Sequence, residues 1–553
     1  MRYRSRILTV IAAGTLFASV HSVQAADFAG SVQGVVKSAS GQALSGAYVK
    51  LINAERRLTF MVVSQADGRY TVNNLPPGDY TVQGVGSGFQ SKLTPVTLAS
   101  GKPATADVSL TDQQGDAVPN GWIRSPGRVA GNELDNELPP PNLPAGEGKA
   151  IVEQKCGQCH FLHRLTQMRW THNNWEKKIA WMRERVAERP GAVDLTDQEA
   201  KTVVEYLAKN FSNTTPKADP NGRLSRTLLQ GSAAKYIAVD FEVPNTDAAL
   251  HDITVDPRGV AWVNQLNQYK LGKFDPDTFE FTDVPLPPGP RKLGVLDHAG
   301  PPVRGPGDSI WMGEVGNNRR FLQFDTKYQE FTVYPTQAGF NGPITGNSIK
   351  VDPNGKMVWS TTRNRVVGLN IQTKQFVAYD MPHFVATGKN PGGYGIDVAG
   401  DGGVWFAERE ANKIGRLDPA TGKIDEYPTP GEDIPRRMGA DWEGNIWVCF
   451  HETGKLVKID HKTRQMTFYQ PPTQNPGTYH AVPDARTKVI WVTLQTSDKI
   501  ARFDPKTETW TEFSLPIVES DARRIDLDPS NPNRIWWSGD TSSHLGYIEV
   551  LDQ

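Results

Sequence analysis

The run Cys156-Gly157-Gln158-Cys159-His160 has the residue types and spacing of a covalent haem attachment. Two thiols three residues apart near a helix end can add to the two vinyl groups of one haem. The histidine that follows at once can then turn its imidazole toward the iron from the same side. A dithiol redox pair would need a surrounding βαβ pattern, and a zinc site would need a second ligand pair; the sequence supplies neither. No second C-x-x-C-H occurs, so the expectation is one covalent haem c with His160 as its proximal iron ligand. The sixth ligand stays open. Met182 stands 22 residues after His160 and can come round to the opposite haem face, whereas Met168 follows by only eight; His163 and His172 are further candidates.

The elements that must hold this centre are helical. Over 145–213, Gly146 to Cys156 reads as a short first helix. Trp175, Ile179, Met182 and Val186 lie at helical spacing between Asn174 and Glu188. Thr196-Asp197-Gln198-Glu199 is a capping box that opens a last helix running to Phe211. The segment resembles mono-haem cytochrome c domains, in which C-x-x-C-H precedes a helix W-x-x-x-[IV]-x-x-M and a final helix ending Y-L. Here those are Trp175, Ile179, Met182 and Tyr206-Leu207. The resemblance implies Met182 as the second axial ligand.

Ahead of this segment lie two others. Residues 28–111 alternate strand material (Gly34-Val35-Val36, Ala47 to Leu51, Tyr80-Thr81-Val82) with turn signals (Asp67-Gly68, Pro76-Pro77-Gly78-Asp79), which predicts a small β-sandwich. Gly46-Ala47-Tyr48-Val49, Ala66-Asp67-Gly68-Arg69-Tyr70 and Leu75-Pro76-Pro77-Gly78-Asp79-Tyr80 make it similar to carboxypeptidase regulatory-like domains. Such modules carry no catalysis as a rule, and some relatives bind carbohydrate. The resemblance implies a spacer or docking module. Residues 112–144, with Pro139-Pro140-Pro141, read as a linker.

From 236 to 553 the chain repeats. Trp262, Trp311, Trp359, Trp405, Trp447, Trp491 and Trp536 recur at spacings of 42 to 49 residues, each in a strand context followed by further strands. That period with four strands per unit predicts a seven-bladed β-propeller. The last repeat lacks an outer strand, while Ala238 to Pro244 is an orphan strand of that type, so the two should pair and close the ring. The fold class is therefore multidomain and mainly β: sandwich, small all-α haem domain, propeller.

Trp405-Phe406-Ala407-Glu408 with Asn412-Lys413-Ile414-Gly415-Arg416 makes the propeller similar to the virginiamycin B lyase (streptogramin lyase) family. Alignment on the tryptophans sets one residue per blade at the start of the innermost strand, facing the channel: His251, Asn347, Tyr394, Arg436, His480 and Arg523, with His298 or Gly300 from blade two. This ring reads either as the polar, wet lining usual in a propeller channel or as a site for a small polar or anionic molecule. His251, His480, Tyr394, Arg436 and Glu408 are the catalytic candidates should the propeller be an enzyme. The resemblance implies elimination by a channel histidine with Mg²⁺ held by two glutamates, one of them two residues before the histidine. That position holds Ala249 before His251 and Thr478 before His480; Glu314 and Glu408 occupy W-x-x-E positions, so the pattern is incomplete. Tryptophan-docking motifs for pyrroloquinoline quinone are not evident.

Composition limits the partners. Sixty basic and 61 acidic residues leave a net charge of −1, with no pull toward nucleic acid or an anionic membrane. Arg2, Arg4 and Arg6, the apolar run Ile7–Val20 and Val23-Gln24-Ala25 read as a signal peptide over 1–25, cut after Ala25; no other run is long enough to span a bilayer. Cys449, the only other cysteine, reads as a buried inert thiol. The expectation is a periplasmic mono-haem electron carrier that meets a redox partner protein, with its propeller docking a partner or binding a small molecule. The alternatives are a propeller that is itself a lyase or feeds electrons to the haem, and a haem that serves as a sensor.

Overall fold

A computed structural model describes residues 30–120, 141–157, 162–186, 193–215, 217–289, 298–315, 319–346 and 348–551. The signal-peptide reading, much of the linker, Cys159, His160 and Asn347 lie outside the described residues, as do the side chains of His163 and His298. The chain is mainly β.

Seven sheets stand in a ring from Tyr236 onward. Six are built from consecutive strands, with innermost strands at Ile253–Val255, Val303–Arg304, Ser348–Val351, Gly393–Val398, Pro435–Ala440 and Thr478–Asp484. The seventh runs Ala522–Leu527, Arg534–Gly539, His544–Val550 and takes Tyr236–Glu242 as its outer strand, Tyr236 opposite Val550 and Glu242 opposite His544. This pairing closes the ring.

The periodic tryptophans sit in the seams between blades, each 2% exposed or less. The indole N–H of Trp447 donates to Asp441 at 2.8 Å and that of Trp536 to Asp528 at 3.0 Å, so the aspartate after the innermost strand satisfies a buried donor. Glycine in Asn412-Lys413-Ile414-Gly415-Arg416 has a steric cause. A Cβ on Gly415 would come within 2.2 Å of the Phe406 ring. In this chain the motif is thus a packing motif.

The sandwich is fused to the ring. Its strand Leu58–Val63 pairs antiparallel with Tyr236–Glu242, Ile237 opposite Val62 and Phe241 opposite Leu58, so its sheet runs on edge to edge into blade seven. An exposed edge is covered, and the apolar residues of both units merge, with Phe60, Val239 and Phe241 in one core. In the proline-rich turn the Tyr80 hydroxyl donates to Pro76 O at 2.6 Å, which explains the Pro76-to-Tyr80 spacing.

Between sandwich and propeller lie α1 (Lys149–Ile151), continued as a wider helical turn over Val152–Cys156, then α2 (Leu162–Gln167), α3 (His172–Val186) and α4 (Asp197–Asn210). The Thr196 hydroxyl accepts from Glu199 N while Glu199 accepts from Thr196 N, the reciprocal cap read from sequence. Val152, Met168, Trp170, Trp175, Ile179, Tyr206 and Leu207 form a separate core. The Trp175 indole N–H donates to Phe211 O at 3.0 Å.

Candidate functional site

A β-bulge interrupts the innermost strands of blades four to seven, between Gly393 and Ile396, Pro435 and Met438, Thr478 and Ala481, and Ala522 and Ile525. A bulge re-aims side chains, here at two successive positions in each strand. Tyr394, Arg436, Tyr479 and Arg523 are equivalent by register, as are Gly395, Arg437, His480 and Arg524 one residue later. The ring residue of blade six is therefore Tyr479, and His480 stands one level further down the channel. Alignment on tryptophans missed this because the turn after blade six's innermost strand is one residue longer: Trp405 and Trp447 stand opposite Asp397 and Gly439, but Trp491 stands opposite Val482.

Contacts cross the axis. The hydroxyls of Tyr394 and Tyr479, from blades four and six, are hydrogen-bonded to each other. Arg437 of blade five pairs with Asp252 of blade one at 2.8 Å. Its guanidinium also lies 5.8 Å from the Tyr394 ring centre and 6.0 Å from that of Tyr479. Arg436 stands 5.5 Å over Tyr394, and Arg523 5.6 Å over Tyr479. All these side chains are buried.

The electrostatics follow from that crowding. Burial by itself would raise the Tyr394 phenol, but Arg436 first, then His251, Arg437 and Arg523, outweigh it and pull it down to about 7. Tyr479 is pushed up, by burial first and then by its tyrosine partner. Burial would likewise raise Asp252; Arg437 and His251 overcome it and hold the carboxylate well below the usual range. His480 is driven down by burial and by the charges of Arg524 and Arg437, so its imidazole is neutral at pH 7.

The catalytic candidates separate on this geometry. His251 has both ring nitrogens engaged, Nδ1 with Asp252 at 2.6 Å and Nε2 with Arg523 at 2.8 Å, which leaves no lone pair for a substrate proton. Tyr394 and Arg436 come together in the ring. Glu408 lies outside it, on the second strand of blade four beside Glu426, and burial and that neighbour raise it to about 8. Glu314 is tied to Arg320. Gly300 carries only backbone, its N–H bonded to Gly313 O at 2.8 Å. Among the described residues no three His, Cys, Asp or Glu side chains are grouped to hold a metal. Cys449 is fully buried and its thiol is pushed up by that burial.

In the helical segment, Cys156 ends the wider helical turn and is partly buried against the helical core. Met182 on α3 is partly buried and outside that core, whereas Met168 is packed within it. His172 is on the surface, its Nε2 2.9 Å from Glu205. The segment meets the propeller at the end where the innermost strands start. Thr171 N–H donates to Asp247 at 3.0 Å and its hydroxyl to the same carboxylate, four residues before His251.

Comparison with known proteins locates two units. Residues 295–553 match the virginiamycin B lyase family, and residues 31–111 match the carboxypeptidase regulatory-like domain. No curated protein matches the chain. Among solved structures, virginiamycin B lyase from Staphylococcus aureus is 20% identical, with 57% of this chain and 100% of that one covered and a TM-score of 0.48. A streptogramin B lyase is 22% identical over 58% of this chain and 100% of its own, also at 0.48. Hydrazine synthase from Kuenenia stuttgartiensis is 12% identical over 56% and 98%, at 0.45. The chain carries a carboxypeptidase regulatory-like domain joined to a virginiamycin B lyase-like propeller.

Proposed function

We propose that this protein is an exported, periplasmic electron carrier with one c-type haem, linked through Cys156 and Cys159 and ligated by His160 and Met182. The observation that carries the reading is the C-x-x-C-H run, whose first cysteine ends a helical turn in a segment with its own apolar core. The chemistry of the residues suits the group. Cys156 lies against apolar side chains that a porphyrin could share, and Met182 is not committed to the core that holds Met168. When bound, the haem supplies one-electron transfer, and a His/Met ligand pair sets a higher potential than two histidines would. The chain's own part is to hold the ligands on α3 and the Cys156 turn, and to present them to a redox partner protein.

The propeller, in this reading, docks a partner or binds a small polar or anionic molecule. A second reading, in which the propeller is itself an enzyme, draws support from the Tyr394–Tyr479 pair, two buried, hydrogen-bonded phenols among three arginines. Purified holoprotein separates the two. The carrier, once reduced, is reoxidised by a cytochrome partner with no organic substrate added; an enzyme's haem is reduced by some substrate, and Tyr394→Phe abolishes that reduction. Met182→Ala is expected to give a high-spin ferric spectrum, and an unchanged spectrum assigns the ligand elsewhere.

A further inference from the structure

Where the innermost strands end, the channel widens into a cavity of about 120 Å³ whose charged and imidazole lining is Lys350, Arg437, His480, Arg524, Asp397 and Asp526. The two acids are already occupied. Asp397 pairs with Lys350 at 2.9 Å and accepts the N–H groups of Val398 at 2.7 Å and Ala440 at 3.0 Å. Asp526 accepts from the Thr254 hydroxyl at 2.9 Å and from Val255 N–H at 3.0 Å, with Arg304 at 3.4 Å. Arg437 is held by Asp252.

Arg524 is different. Among the described residues no carboxylate reaches it at ion-pair distance, and its Nε is buried without a hydrogen-bond partner. Asp252, Asp526 and Asp397 act on it only through space, and burial and Arg437 depress it. Arg524 is partly exposed and lines the cavity, and a cation there with no carboxylate in contact draws an anion toward it. His480 adds a second donor. Its Nδ1 accepts from Ile525 N–H at 3.3 Å, which leaves the proton of the neutral ring on Nε2.

We infer that this cavity is a site for a small oxyanion of phosphate or sulfate size, held by the Arg524 guanidinium with His480 Nε2–H and Lys350 as further donors. The site lies one level along the channel from the tyrosine ring, shares Arg437 with it, and does not depend on the haem. Lys350, half-exposed at the rim, gives the anion a way in.

Calorimetric titration of the full chain with inorganic phosphate, and separately with sulfate, tests it at pH 7. The expected result is one site per chain for either ion, weakened at least about tenfold by Arg524→Gln and less by Lys350→Met, as for the loss of a charge-assisted hydrogen bond. Thermal unfolding supplies a second measurement. Phosphate should raise the Tm of the parent by mass action and shift that of Arg524→Gln much less at the same concentration. No heat and no Tm shift with either ion overturns the site, as does equal affinity in parent and Arg524→Gln. A haem-free chain that binds phosphate would contradict only the carrier reading; a haem-bearing chain that ignores it would contradict only this one.

Discussion

Between its blades the propeller buries tryptophan; along its axis it buries arginine. The seams need the same apolar wedge seven times, and each indole meets the same kind of neighbours in every blade. The axis repeats nothing of the sort. At equivalent positions stand a tyrosine, an arginine, a tyrosine and an arginine, and one residue later a glycine, an arginine, a histidine and an arginine. A repeat conserved within one chain reports what the fold requires. Departure from it, where buried charge is expensive, reports what the fold carries in addition.

Removing a seam tryptophan is the largest perturbation. Trp405 is fully buried and packs on Tyr427. Trp405→Ala is expected to cost about 3–5 kcal/mol in chemical unfolding, and a loss below about 1 kcal/mol would mean that the seams are not where the ring gets its stability.

Next comes Glu408, buried beside Glu426. With its carboxyl raised to about 8, the folded state keeps a proton that the unfolded chain releases in the ordinary glutamate range. Stability conferred by that proton is present at low pH and is lost as pH rises toward 8. Glu408→Gln should therefore be more stable than the parent at pH 8 by about 2–4 kcal/mol and nearly equal to it at pH 4, read from denaturant midpoints across pH. A gap that widens toward acid pH would reverse the assignment.

The smallest effect on stability and the sharpest on the axis is spectroscopic. With Tyr394 drawn down to about 7, a tyrosinate absorption band should grow in near neutral pH and vanish in Tyr394→Phe. Its appearance only near pH 10 would mean that the arginines do not act on the ring as described.

Much of this was legible in the sequence. The tryptophan period predicts the blades because backbone repetition forces side-chain repetition, and the orphan strand before Trp262 announces the closure with His544–Val550. Thr196 to Glu199 reads directly as a cap because its bonds are local. The edge pairing of Leu58–Val63 with Tyr236–Glu242 is made by backbone groups far apart in the chain and leaves no mark in composition. Tyr479 was hidden behind His480 by one extra turn residue. Arg437 and Arg524 did leave a signal: doubled arginines, Arg436-Arg437 and Arg523-Arg524, stand at the same place in two blades, and the bulge brings the second of each pair into the channel. The docking of α3 through Thr171 onto Asp247 likewise depends on tertiary placement alone.

The central claim is covalent, and intact-mass spectrometry of the mature chain, purified from an exporting host that assembles c-type cytochromes, tests it most directly. One haem adduct that survives denaturation, mapping to the peptide containing Cys156 and Cys159, is the predicted result. A chain of unmodified mass with both thiols open to alkylation would contradict it.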